Sequence, residues 1–349
     1  MSQAVLGAPP RGGALLSLRQ VLGSRAGHLV LYVFKRVLWL FPVLFFVILV
    51  TFILAHLAPG GPWDKGGGRE LSEAVRRAKD IKYGLDKPFW QQFVIYVGNV
   101  VRFDFGTSLQ SEGVQVSDRI LGGWRYTATL GVLAFLLIVP IGIGTGVIAA
   151  LRQNTWVDYL VLALSTAGAS IPNFVVGFFL VILFAIIPYK LTGGNFALPV
   201  SGPPSDGAWL GIDLHYLMPV LTLSFLPIAY IGRLTRSSTL DTLRQDYVRT
   251  AWAKGLQERK VVLKHVLKNS LIPVVTALGP TFAFLVTGSV VVESVFQIPG
   301  VGKMFIDSIS ARDYPVILGL VIQFALIVAI ANLIVDILYV VIDPRIRLE

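Results

Sequence analysis

Apolar stretches near residues 37–57, 124–151, 157–187, 215–231, 271–296 and 316–342 alternate with polar segments along the chain. Each is about the length that crosses a bilayer, and none shows the strict alternation of a strand, so the pattern predicts six helices that are apolar all round. Lys35 and Arg36 precede the first stretch. That stretch is too long for the core of a secretory signal and ends in His56-Leu57-Ala58-Pro59-Gly60-Gly61-Pro62 with no small-x-small cleavage site. It therefore reads as a retained anchor, slightly kinked at Pro42, with its N-terminus inside. Residues 157–187 are interrupted by Ser170-Ile171-Pro172-Asn173. They read as one tilted or broken span, since two would invert the sides of everything downstream. Gly142, Gly144 and Gly146 thin the second span for the close approach of a neighbour.

The polar segments carry the information on sidedness. Residues 59–123 nearly balance acids and bases, as a translocated loop can, and predict short helices near 71–82 and 88–101. The second has an apolar face of Trp90, Phe93, Val94, Val97 and Val101 that suits packing first, and a membrane surface or pore mouth otherwise. Across 233–268, nine bases face three acids, the strongest cytoplasmic signal in the chain. Two helices are predicted within 238–273. The first carries Leu240, Leu243, Tyr247 and Ala251, opens with a Ser238–Asp241 capping box and stops at Gly255. The second buries Val262, Leu263, Val266 and Leu267 and presents Lys260, Lys264 and Lys268 as a stripe. Such an element either lies on anionic lipid or docks as a lever in a partner's groove.

Composition narrows the function. The chain has 349 residues, 54% hydrophobic and 14% charged, against about 25% charged in soluble domains. The absence of cysteine excludes thiolate metal sites, thiol catalysis and disulfides. The net charge of +10 sits beside the spans, where it orients the protein rather than binding nucleic acid. Ile298-Pro299-Gly300-Val301-Gly302-Lys303-Met304 lacks the first glycine and the Ser/Thr of a phosphate-binding loop, and reads as a turn before a short helix. The few ionisable groups within the spans, His56, Glu293 and Asp336, fit helix-end or interhelical bonds. Their scarcity counts against the alternative of a stand-alone secondary transporter or channel.

The order of residues adds a resemblance. Asp246-Tyr247-Val248-Arg249-Thr250-Ala251, then Ala253-Lys254-Gly255-Leu256, His265, Asn269 and Pro273 resemble the coupling loop of ABC-importer permeases of the dipeptide/oligopeptide family, B-type subunit. Arg249-Thr250-Ala251 fills the slot where the general form has Glu-Ala-Ala, as the peptide branch does. Gly84 to Pro88, Asp104-Phe105-Gly106-Thr107-Ser108, Arg312-Asp313-Tyr314-Pro315, residues 332–336 and Asp343-Pro344-Arg345 are similar to other parts of that family. The resemblance implies an all-α, polytopic, type I ABC-importer permease-like fold with about six transmembrane helices in a bacterial inner membrane, both termini cytoplasmic. It covers a first span with a long outer loop (33–123) and a permease core of five transmembrane helices (124–349) with its coupling loop at 238–273; the cytoplasmic tail (1–32) lies outside it and reads from its own residues as mostly mobile, with a short surface helix near 14–22. It implies a non-enzymatic pore subunit importing peptides by alternating access. The implied partners are a second homologous permease, two cytoplasmic ATPases that hold ATP and Mg²⁺, and an extracytoplasmic binding protein; this chain itself holds no cofactor or metal. Asp246, Arg249, Thr250, Ala251, Lys254, Gly255 and Leu256 are the expected ATPase contacts. Ser170, Asn173, Thr281, Thr287, Gln323 and Asn332 are candidate walls of a translocation path.

Overall fold

Helix α1 (Arg25–Leu57) runs unbroken through Pro42 and begins well before the first apolar stretch. The computed structural model describes residues 25–64, 71–200, 202 and 213–342. The expected helix at 14–22 and the Asp343-Pro344-Arg345 motif lie outside them. Among the described residues, six helices are long and apolar enough to cross a membrane. Two short helices, α2 (Glu73–Tyr83) and α3 (Phe89–Val101), fill the first loop. Helix α4 (Val116–Leu151) starts earlier than its apolar run. Its first turn carries an acid, Asp118, which suits the positive end of the helix dipole and lets helix begin ahead of the apolar run.

The interrupted third stretch is α5 (Trp156–Ser170) and α6 (Asn173–Val181), parted at Ile171 and Pro172. Proline disfavours helical backbone in the residue before it, and Ile171 is extended. A π-helical turn (Ile182–Ile186) and α7 (Ile187–Thr192) complete it. Both halves track one partner, α8 (Leu217–Leu243). Asp158 pairs with Arg236, Gly168 lies against Ala229, and Gly177 lies against Thr222. The steady retreat along α8 makes the two halves a single antiparallel crossing.

Helix α8 also packs closely on α4, where Gly142 meets Ile231 and Gly146 meets the Gly232 carbonyl and Thr235. A side chain at Gly146 would strike backbone, so only glycine lets these helices approach so nearly. Gly144, by contrast, faces open space and serves no such contact. Leu130, Ile138, Leu223, Ile231 and Leu285 form the core where α4 and α8 meet α11 (Leu267–Thr287).

The fifth span departs from its sequence reading at both ends. Helix runs without a stop from α10 (Glu258–Val261) through a π-helical turn (Val262–Val266) into α11. It ends at Thr287, not near 296, because Gly288 turns at φ +104. Short α12 (Val290–Val295) and α13 (Val301–Ala311) then fold back, and α14 (Tyr314–Ile342) returns across the membrane. Asp336 on α14 pairs with Arg36 at 3.3 Å and accepts a 2.7 Å bond from Tyr32, so the first and last spans lie antiparallel. Glu293 and Asp336 thus form the expected structural bonds.

Candidate functional site

The polar element after α8 is built differently from its sequence reading. Ser238 caps nothing: α8 continues through it to Leu243, and its hydroxyl donates to the Ser270 carbonyl at 2.7 Å, joining α8 to α11. The chain turns at Arg244 and extended Gln245, then restarts as α9 (Asp246–Ala253), with Asp246 in the first turn where a carboxylate suits the helix dipole. Leu240 and Leu243 therefore belong to a different helix from Tyr247 and Ala251.

Helix α9 ends in a Schellman motif. The Gly255 amide donates to the Trp252 carbonyl at 2.9 Å and the Leu256 amide to the Ala251 carbonyl at 3.4 Å. Gly255 sits at φ +74, where other residues are strained. Gln257 extends the chain again and Glu258 opens α10, so the turn is fixed to the fifth span by continuous helix. Beneath it lies a small core of Val248, Ala251, Val261 and Val266, flanked by Leu243 and Leu256. Leu263, expected inside, is exposed. The π-helical turn carries one extra residue in its loop and rotates the positions that face inward.

The seven expected contact residues split by geometry. Asp246, Arg249, Thr250, Lys254 and Gly255 are exposed, Ala251 is buried and Leu256 half-buried. Thr250 donates to the Asp246 carbonyl at 2.9 Å and Arg249 reaches Asp246 at 3.7 Å, so these side chains stay on α9 itself. Two exposed aromatics flank them. Tyr247 accepts a 2.6 Å bond from Asn269, and Trp252 escaped the motif entirely. Its position was available in the spacing, since Val248 and Ala251 are the inward pair and Trp252 falls beside them. Lys260, Lys264 and Lys268 are all exposed, continuing the basic surface.

The candidate path residues divide too. Ser170, Thr281 and Thr287 donate to Thr166, Ala277 and Phe284 of their own helices. Asn173 and Gln323 each keep a buried amide oxygen without a partner, among the described residues. Such an atom normally finds one, so these two are the better wall candidates. Asn332 lines an apolar groove of about 560 Å³ with Arg36, Trp39 and Val328, between α1 and α14.

At the other end of the spans, motifs that were separate in sequence meet. Buried Asp313 accepts from the Ser108 hydroxyl at 2.5 Å, the Leu109 amide at 3.0 Å and Arg119 at 3.4 Å. Arg312 donates to the Gly61 carbonyl at 3.1 Å. The Gly61 amide bonds Asp64, and with Arg76 and Arg312 nearby this holds the Asp64 carboxyl below its ordinary range. Fully buried Glu293 accepts from Thr127 and from the Lys303 amide, capping α13. Gly300 and Gly302 are small because the Glu293 carboxylate occupies the space their side chains would need. The glycine-rich turn is thus a seat for a carboxylate of this chain.

A family model described as "Binding-protein-dependent transport system inner membrane component" matches residues 142–348. The dipeptide transport system permease protein DppB of Bacillus subtilis is 38% identical over 318 residues, covering 91% of this chain and 98% of that protein. The oligopeptide transport system permease protein OppB of Escherichia coli K12 is 38% identical over 317 residues, covering 90% and 99%. The glutathione transport system permease protein GsiC of the same strain is 40% identical over 316 residues, covering 90% and 98%. Among solved structures, an inward-facing MetNI methionine ABC transporter superposes with TM-score 0.49 at 15% identity, covering 64% of this chain and 96% of that one.

Proposed function

Since this chain belongs to the family of inner membrane components of binding-protein-dependent transport systems, we propose that its Asp246–Gly255 turn is the point at which an ATPase drives peptide import. The chain is a multi-pass transmembrane permease subunit of an ABC importer and works in a complex with an ATPase and a binding protein. Its relatives carry names for dipeptides, oligopeptides and glutathione, all short peptides, and a short peptide is the substrate proposed here.

The observation that carries this reading is the capped, exposed α9 turn, seated on its own core and continuous with the fifth span. A push on Asp246, Arg249, Thr250, Lys254 or Gly255 passes through Ala251 and Leu256 to α10 and α11 rather than being absorbed in a flexible loop. Closure of two ATPase subunits on ATP and Mg²⁺ would tilt this lever and open the path outward; hydrolysis resets it. A second homologous permease supplies the other half of the path, and the binding protein delivers peptide at the opposite face. The basic excess around α9 supports a cytoplasmic position for that face and for both termini. The pore subunit itself performs no covalent step.

Uptake of a radiolabelled dipeptide into proteoliposomes holding this chain with its partner subunits tests the proposal. Import must require ATP on the side of α9 and binding protein on the other. ATP-independent flux through this chain alone would overturn it in favour of a secondary transporter.

A further inference from the structure

Helix α3 belongs, by sequence, to the loop outside the membrane, yet its surroundings are those of a membrane segment. One arc, Phe89, Phe93, Tyr96 and Val100, packs against Ile48 and Phe52 of α1 and Leu318 and Ile322 of α14. Phe93 also meets Phe45, their ring centres 5.9 Å apart. At the 1.5 Å rise of an α-helix, Phe52 and Ile48 lie roughly 7 and 13 Å down α1 from Leu57. Leu318 and Ile322 lie roughly 6 and 12 Å down α14 from Tyr314 by the same measure. The helix therefore sits below the level at which both spans end.

The adjoining arc is apolar and bare. Trp90, Val94 and Val101, one and then two turns apart, are 61%, 67% and 74% exposed, and Phe103 just beyond is 83% exposed. Gln91, Gly98 and Arg102 border this row on the side away from the packed arc. Trp90 meets Phe93, Phe93 meets Phe45 and Phe45 meets Phe46, so the bare row adjoins the exposed Phe46, Val50 and Leu54 of α1. An apolar row at this depth, joined to a span's outer surface, is placed to meet acyl chains.

We propose that α3 is embedded in the leaflet opposite the α9 turn, with Trp90, Val94, Val101 and Phe103 in contact with lipid and Gln91 and Arg102 turned to the headgroups. The helix is then a collar that fixes the outer cap to the bilayer, and its occupant is the membrane rather than a protein.

The chain lacks cysteine, so single cysteines can be labelled without background. Val94→Cys and, as the polar-side control, Gln91→Cys are spin-labelled in the assembled transporter, in vesicles of phosphatidylethanolamine and phosphatidylglycerol. Lipid-soluble oxygen and a water-soluble nickel chelate then compete to relax each label. The Val94 label should meet oxygen several-fold more readily than the chelate, and the Gln91 label the reverse; Val101→Cys repeats the measurement should Val94→Cys assemble poorly. Equal chelate access at Val94 and Gln91 would place the row in water. Exclusion of both probes from Val94 would place it under another protein. Either result overturns the proposal.

Discussion

Gly255 separates two ways in which the α9 turn can matter. The position is at φ +74, and a Cβ built there meets nothing within 4 Å. Substitution therefore costs only backbone strain, about 1 kcal/mol for alanine, roughly a fivefold change in a local opening equilibrium. Asparagine tolerates this conformation better than alanine, so its strain is smaller, but it adds a larger side chain to the exposed surface. If the turn serves only as a helix stop, Gly255→Ala is the more harmful change. If the turn docks in an ATPase cleft, Gly255→Asn is. The docking proposal expects ATP-driven peptide uptake to fall less than about fivefold in Gly255→Ala. In Gly255→Asn it should fall at least about tenfold, a loss of about 1.4 kcal/mol or more in the coupling contact. Membrane insertion and assembly with the other subunits should be unchanged in both. The assay is uptake in proteoliposomes alongside ATP turnover, which should persist without transport in the asparagine variant. Wild-type uptake by Gly255→Asn would refute the assignment of this turn as the docking point.

Asp313→Ala should release residues 108–111 from the last span. Losing bonds from Ser108, Leu109 and Arg119 to a buried carboxylate costs about 3 kcal/mol, so the Leu109 amide should exchange with deuterium roughly a hundredfold faster. Lys260→Cys should react with a membrane-impermeant maleimide only after the cells are opened; reaction in intact cells would reverse the topology. The Asp64 carboxyl has a lowered folded-state pKa, so the bond from Gly61 stabilises the loop above the unfolded value and is lost as pH falls through the folded one. Exchange of the Gly61 amide, corrected for its intrinsic rate, should be unchanged between pH 7 and 5 and should rise below about pH 4.

The spans were legible because a bilayer demands helices apolar on every side, and nothing in the sequence competes with that signal. Their ends were not. Charge marks where a helix leaves lipid, whereas α8 and α10 continue well past that level as helix, since Arg236, Arg259 and Lys260 are good helix formers in water. Ser238 looked like a cap because Asp241 follows at capping-box spacing, yet its hydroxyl is used by Ser270, a partner no local pattern reveals. The inward face of α9 was placed one step off: Val248, not Tyr247, shares the core with Ala251. The motifs ending in Ser108 and beginning at Arg312 were both visible, but their pairing is a tertiary fact.

That pairing spans 205 positions. At a synthesis rate of about 5–20 residues per second, Ser108 emerges roughly 10–40 s before Asp313 exists to receive it. Throughout that interval the segment around Ser108 stands without its latch, and a chain arrested before Asp313 would keep it permanently open. The bond between these two residues is therefore a checkpoint, made only once synthesis has passed Asp313.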